Sequence, residues 1–167
     1  MSSFKEISPY ELENALKLIG KDWMLITARD KNGVNAMTAS WGCLGVLWNK
    51  PVAVCFIRPQ RHTFGLVRNE DKISLAFLSD EYRGALNICG TKSGKDCNKL
   101  ELAGLSTLEH EGVPIINEAS VALVCRKLYE GSLNESEFLD QSLKAFYNNG
   151  DFHGVFILEI EKALAKI

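Results

Sequence analysis

Leu12, Ala15, Leu16 and Ile19 recur at helical spacing just after Ser8-Pro9-Tyr10-Glu11, a capping-box sequence with proline at the first helical position. This pattern predicts a first helix over residues 9–19. The period then shortens to that of strands. Residues 24–29 read as a strand, Asp30-Lys31-Asn32-Gly33 as a tight hairpin turn, and residues 34–41 as the returning partner. Residues 51–58 form a buried strand rich in branched side chains, 63–69 a short helix, 72–78 another strand and 80–89 a helix. A polar, glycine-containing loop over 90–99 leads to a helical stub near 100–103. Two further strands, 119–130 and 152–161, bracket an amphipathic helix whose Phe138, Leu139, Leu143 and Phe146 share a face.

Strands predominate and the first pair is joined by a hairpin, so the expected sheet is mainly antiparallel and curls to hide its edges. A small barrel with helices packed on its outside is the architecture this implies. Internal repeats, low-complexity segments and linkers are absent from the sequence, and 167 residues with 46% apolar content can bury a core without disulfides or a metal. One domain over 1–167 is the expectation.

Charge narrows the partners. Nineteen Lys and Arg against 21 Asp and Glu, interspersed, give a net charge of −2 and no basic face of the kind nucleic-acid binding requires. No apolar run reaches the roughly eighteen residues of a membrane span, and the first residues lack a cationic and apolar leader pattern. A soluble, unprocessed, cytoplasmic protein is expected, without nucleic-acid or membrane partners. The five cysteines, Cys43, Cys55, Cys89, Cys97 and Cys125, are odd in number with no Cys-x-x-Cys spacing, which reads as reduced thiols. Cys43, two residues past Trp41, could face a ring lying there, although packing accounts for it as well. His62, His110 and His153 are too scattered to indicate a metal site.

No Gly-x-Gly-x-x-Gly follows the first strand, so a dinucleotide-binding doubly wound sheet has no support. Gly90-Thr91-Lys92-Ser93-Gly94-Lys95-Asp96 has phosphate-loop composition, but its glycine spacing is one residue short and Asp96 stands where a magnesium-binding hydroxyl belongs. Its amides and Lys95 could still touch an anionic ligand or a reduced nicotinamide.

Two other segments carry more chemistry. Asn35-Ala36-Met37-Thr38-Ala39-Ser40-Trp41-Gly42 offers small side chains, hydroxyls and an indole at a strand end, where a flat ring could lie against backbone. Core packing explains Met37 and Trp41 equally well. Arg58-Pro59-Gln60-Arg61-His62-Thr63 turns from strand to helix, with the Thr63 hydroxyl suited to capping. The first-turn amides, Arg61 and His62 together suit a phosphate dianion, or else form an ordinary capped surface helix.

Taken in order, these segments resemble the flavin reductase-like family, whose fold is the FMN-binding split barrel, and its flavoredoxin branch in particular. The matching elements are the Asn-x-Met-Thr-x-Ser-Trp-Gly strand end, the Arg-Pro-x-Arg-His-Thr turn, the Cys-Gly-x-x-Ser-Gly-Lys-Asp loop leading to Lys99, and the late strand beginning at His153. The resemblance covers about residues 22–160. It implies a mainly β, Greek-key-like antiparallel split barrel with flanking helices. It further implies a homodimer holding FMN at the barrel edge, part of each site being supplied by the other subunit. Carried over by position, Asn35, Met37, Thr38, Ala39, Ser40 and Trp41 line the ring and ribityl chain. Arg61, His62 and Thr63 hold the phosphate, with Ser93 and Lys99 as further candidates. His153 lies near the flavin or an incoming nicotinamide. Phe152 separates Asp151 from His153 where relatives often have adjacent Asp-His, and Leu158 stands where many have glycine. The activity implied is that of an FMN-dependent oxidoreductase. It takes reducing equivalents from NAD(P)H or a redox partner protein and passes them to flavin, ferric iron or an electron-transfer protein. The alternatives are an FMN carrier or electron-transfer module that binds no nicotinamide, and a split barrel holding another cofactor such as haem.

Overall fold

The computed structural model describes residues 4–167. Strand β1 (Phe4–Ile7) leads to the capping box, which forms as read: the Tyr10 N–H donates to Ser8 Oγ (3.3 Å) and the Ser8 N–H to Glu11 Oε2 (2.6 Å). The expected helix over 9–19 does not follow. A single 3₁₀ turn, Pro9–Glu11, ends at Leu12, and Asn14 then adopts a left-handed conformation (φ 56°), so a new turn, α1 (Ala15–Lys17), starts afresh and widens over Leu18–Asp22. Asparagine enters that conformation more readily than most residues. The break leaves Leu16 at 92% exposure while Ile19 stays buried, so the helical spacing does not describe one packed face.

The hairpin β2 (Met24–Asp30) and β3 (Gly33–Ala39) forms in the expected register, with Asp30 opposite Gly33, whose φ of 131° suits a residue without Cβ. β3 ends at Ala39. An unanticipated strand, β4 (Gly42–Leu47), then pairs with β5 (Lys50–Ile57) through Trp48 and Asn49, both left-handed, the conformation that a two-residue hairpin needs. Helix α2 (His62–Asn69), β6 (Lys72–Phe77), α3 (Arg83–Thr91) and α4 (Lys99–Ala103) lie where the pattern placed them. A small hairpin, β7 (Thr107–His110) with β8 (Val113–Ile116), was not legible, and β9 (Val121–Ser132) and β10 (Gly154–Lys166) complete the order. The amphipathic helix through Phe138 to Phe146 is absent as well. That region holds 3₁₀ turns at Glu135–Glu137 and Gln141–Phe146, and Leu139 is 99% exposed.

Every ladder is antiparallel, in the order β3-β2-β6-β9-β10-β5-β4, with β1 also on β10. Register shifts in the β9–β10 pair bend these two long strands. Ile26, Met37, Cys55, Ile57, Phe77, Leu123, Phe156 and Leu158 fill the inside. On the other face of β2, β3, β6 and β9, Leu25, Ala36, Ala76 and Val124 pack under Leu86 and Cys89 of α3, Leu100 of α4 and Ile115 of β8. Both faces of β2 are thus buried, as the adjacent Leu25 and Ile26 require.

The curl is visible in one detail. β3 and β4 stand at opposite ends of the strand order, yet only Ser40 and Trp41 separate them in the chain. Three peptide steps span at most about 10 Å, so the two sheet edges meet there without hydrogen-bonding to each other. The barrel is split at this seam. No helix of the described residues is long and apolar enough to cross a membrane.

Candidate functional site at the barrel seam

The seam opens as a cleft of about 190 Å³ lined by Met37, Thr38 and Ala39 of β3, Ser40 and Trp41 of the link, Phe56 and Arg58 at the end of β5, Arg61, and His153 just before β10. Alternation along β3 turns Met37 and Ala39 into the barrel, while the Thr38 hydroxyl donates to the Leu86 carbonyl at 2.5 Å and ties the strand to α3. The approach is close: a Cβ on Gly90 would meet Thr38 Cβ at 3.3 Å. The strand end is therefore held rigidly from behind. Cys43 lies elsewhere, in an apolar cleft with Leu16, Ile19 and Leu44 that shares Trp41 and Ser40 with the seam.

One end of the seam cleft collects positive charge. Arg61 occupies the N-cap of α2 and donates from Nη1 to the Gly90 carbonyl at 3.0 Å, near the end of α3. Its Nη2 is sealed from solvent and has no hydrogen-bond partner among the described residues. Burial pushes the guanidinium pKa down. Lys99 is only 3% exposed and donates to the Cys89 carbonyl at 3.2 Å. Burial lowers its pKa too; the Cys89 thiol opposes that shift and nearby Arg61 adds to it. Neither cation pairs with a carboxylate among the described residues. A buried ion such as Lys99 without a counter-charge costs several kcal/mol, and Arg61 beside it is half-buried with one sealed, unpartnered nitrogen, so this pair of cations fits an anionic ligand.

Behind Arg61 the first motif meets the second. Asn35 Nδ2 donates to Thr63 Oγ1 at 2.7 Å, both side chains being buried. Thr63 therefore does not cap α2: that position belongs to Arg61, and the hydroxyl is turned to Asn35 instead. His62 Nε2 lies 2.6 Å from Asp30 Oδ2 in the hairpin turn, and this hydrogen bond holds the Asp30 carboxyl below its usual range. The loop after α3 closes over this group. Ser93 Oγ accepts from the Lys95 N–H at 3.2 Å, and a Cβ on Gly94 would stand 2.2 Å from Asn35 Oδ1. Asn35, Gly94, Lys95 and Lys99 also face an adjoining polar groove of about 810 Å³. Of the residues the sequence singles out, Met37, Thr38, Ala39, Ser40, Trp41, Arg61 and His153 share the cleft. Asn35, His62, Thr63, Ser93 and Lys99 lie outside its wall, around or beyond Arg61.

The other end is aromatic. His153, 6% exposed, has its ring centroid 5.3 Å from Trp41 and 6.4 Å from Phe56, and its Nδ1 lies 2.7 Å from the Tyr147 hydroxyl. Burial holds the imidazole pKa below its ordinary value; Arg58 pushes the same way and Asp151 opposes. Arg58 donates to Asp151 Oδ2 (2.5 Å) and to the Phe146 carbonyl (2.7 Å), while Gln60 adds a second donor to Asp151 (2.6 Å). These two donors keep the Asp151 carboxyl well ionised. Phe152, inserted between Asp151 and His153, stacks on Tyr147 at 4.7 Å. Phe56, Arg58 and Tyr147 were not among the sequence-derived site residues. Phe56 reads as one of several apolar residues in a buried strand, and the Arg58 pairing spans 93 residues of chain.

Fold and site together define the class: a split antiparallel barrel with a cleft at its seam, basic at one end and aromatic at the other. The flavin reductase like domain model matches residues 17–165, and the chain belongs to that family. Similar solved structures include an FMN-binding domain of a flavin reductases-like enzyme from Shewanella baltica (TM-score 0.70, 17% identity, 98% of this chain and 77% of that one). A flavoredoxin from Methanosarcina acetivorans is also similar (0.68, 22%, 87% and 68%). So is an FMN-binding protein from Thermus thermophilus with bound 1-cyclohex-2-enone (0.67, 22%, 91% and 74%). At these identities the likeness is one of fold. No curated protein sequence shows significant similarity to this chain.

Proposed function

We propose that this chain is an FMN-dependent oxidoreductase of flavin reductase type, taking reducing equivalents from NAD(P)H. The observation that carries the reading is Arg61: a half-buried guanidinium whose Nη2 is sealed from solvent and unpartnered, beside a buried Lys99, at the end of a cleft whose far end is aromatic. A ligand that is a dianion at one end and a flat ring at the other satisfies both. Arg61 and the first-turn amides of α2 would hold the phosphate, with Lys99 adding charge from behind. Asn35, His62, Thr63 and Ser93 support that end, through the Asn35–Thr63 bond, the His62–Asp30 pair and the loop at Gly94. Met37, Thr38, Ala39, Ser40 and Trp41 would line the ring and ribityl chain, Phe56 and Trp41 keeping water from it. When bound, FMN supplies hydride and electron-transfer chemistry that no side chain of this protein offers. His153, neutral because it is buried beside Arg58, offers a hydrogen bond rather than a charge.

The same reading includes a homodimer. Along the open edge, Val46, Leu47 and Trp48 of β4 and its turn are exposed, Trp48 at 56%, and Trp41 continues the strip toward the cleft. An unpaired apolar edge of this kind calls for cover, and a second copy would bring it next to the site. Light scattering on the purified protein should give the dimer mass, and substituting Trp48 and Val46 with lysine should give the monomer.

Absorbance tests the cofactor. The purified protein should show a flavin spectrum, or take up added FMN with a rise in Tm; a colourless protein that FMN does not stabilise overturns the proposal. Anaerobic mixing with NADH and with NADPH tests the donor. Rapid bleaching supports the enzyme, whereas persistent colour with both means a carrier or a module fed by a redox protein.

A further inference from the structure

We infer that Tyr147 is a positioning residue for His153: its phenol donates to Nδ1 and so fixes the tautomer that presents Nε2–H to the cleft, toward a carbonyl oxygen of the bound ligand. The contact is buried and 2.7 Å long. A phenol is the stronger donor and an imidazole nitrogen the stronger acceptor, so the proton between them stays on the tyrosine and the ring proton moves to Nε2. His153 lines the cleft, and its Nε2 makes no hydrogen bond to the described residues. The charged groups around it are Arg58 and Asp151 beside the ring and Arg61 across the cleft, and the first two are already paired with each other.

The tyrosine is itself held from three sides. Its ring stacks on Phe152, meets Phe138 at 5.9 Å, and lies under the Arg58 guanidinium at 5.1 Å. Its N–H donates to the Lys144 carbonyl at 2.9 Å. Arg58 thus reaches from the end of β5 to clamp the 3₁₀ segment that carries the phenol. The clamp explains why a region of exposed turns delivers one buried, hydrogen-bonded ring.

A fixed N–H donor selects a ligand with an acceptor at that point. The flavin ring and the nicotinamide carboxamide both carry carbonyl oxygens, and the shared chemistry is what the geometry recognises. The identity of the acceptor rests on the flavin reading above; the tautomer does not.

Long-range ¹H–¹⁵N spectra of the ligand-free protein test the tautomer. The wild type should show Nε2–H at neutral pH. Tyr147→Phe should give mixed tautomers, because no donor then faces Nδ1 to hold the ring proton on Nε2. An Nδ1–H tautomer in the wild type, or an unmixed Nε2–H tautomer that persists in Tyr147→Phe, overturns the inference. Phe152→Leu loosens the same segment but keeps the hydroxyl, and should retain Nε2–H; if it reproduces the Tyr147→Phe spectrum, the effect is one of packing and the inference falls. Adding FMN should shift the Nε2–H signal if the acceptor is the flavin, and adding NAD⁺ to the FMN-loaded protein should shift it if the acceptor is nicotinamide. Movement with neither overturns the donor role. In turnover, Tyr147→Phe should slow nicotinamide-dependent reduction about three- to tenfold, the worth of one neutral hydrogen bond. A colourless protein with Nε2–H in place would sink the flavin reading and leave the clamp standing.

Discussion

Asn35 donates to Thr63 across 2.7 Å in the buried space behind Arg61, joining the strand that lines the cleft to the helix that carries its charge. Thr63 is the second residue of α2, inside the N-cap at Arg61, and spends its hydroxyl on Asn35. The two motifs that stood apart in the sequence are one hydrogen-bonded unit, and the position of Arg61 depends on it.

The bond should therefore register in stability as well as in binding. Asn35→Ala and Thr63→Val should each lower the unfolding free energy by about 1–3 kcal/mol in urea titrations, since each leaves or removes a buried polar partner. The double variant should cost less than the sum, with a coupling of about 0.5–1.5 kcal/mol. Additive losses would mean that the two side chains act independently.

Arg61 should show opposite effects with and without ligand. Arg61→Met removes a half-buried cation with one sealed, unpartnered nitrogen, so the ligand-free protein should be as stable as the wild type or more so. FMN affinity should fall roughly 10- to 100-fold, the loss of a charge-assisted contact. Isothermal titration with FMN and thermal melts of the apoprotein check the two halves separately.

Lys99 predicts a pH dependence with a definite sign. Burial lowers its folded pKa below the unfolded value of about 10.4, so the unfolded chain binds the extra proton between these two values. Stability of the ligand-free protein should then rise with pH across that alkaline window, as the folded state sheds the buried charge. Lys99→Met should flatten the slope, and bound FMN should reduce it. Denaturation midpoints across the alkaline range are the measurement.

Gly94 should tolerate no side chain. An alanine Cβ would sit 2.2 Å from Asn35 Oδ1 and 3.0 Å from His62 Cδ2, so either the loop or the Asn35–Thr63 unit must move. Gly94→Ala should cost about 1–3 kcal/mol in stability and weaken FMN binding. Gly84→Ala, inside α3 with nothing outside its own helix and chain neighbours within 4 Å of its Cβ, is the control: it should leave FMN binding unchanged and keep or raise stability, by at most about 1 kcal/mol.

Local chemistry was legible in the chain. The hairpin at Asp30 to Gly33, the strands on either side of it, the start of α2 near His62 and the loop ahead of Lys99 all follow from turn residues and from spacing within a few positions. Those features also carry the family likeness, because their order along the chain is itself sequence information. Where the local signal was weak or misleading, the reading failed. β4 is glycine-containing and apolar at successive positions, so it shows no alternation; Trp48 and Asn49 make an atypical turn; and the helical spacing of Leu12 to Ile19 is interrupted by Asn14.

The site itself belongs to the tertiary structure. That Ser40 and Trp41 bridge the two edges of one curled sheet, that Arg58 meets Asp151, and that Tyr147 meets His153 are facts about strands brought together from far along the chain. The sequence by itself determined which residues could bear charge, stack on a ring or turn the chain, since those properties are local. Which of them face one cleft was decided by the curl of the sheet and by burial. The same closure that seals Lys99 and one nitrogen of Arg61 from water turns Thr63 toward Asn35 and leaves His153 one free nitrogen.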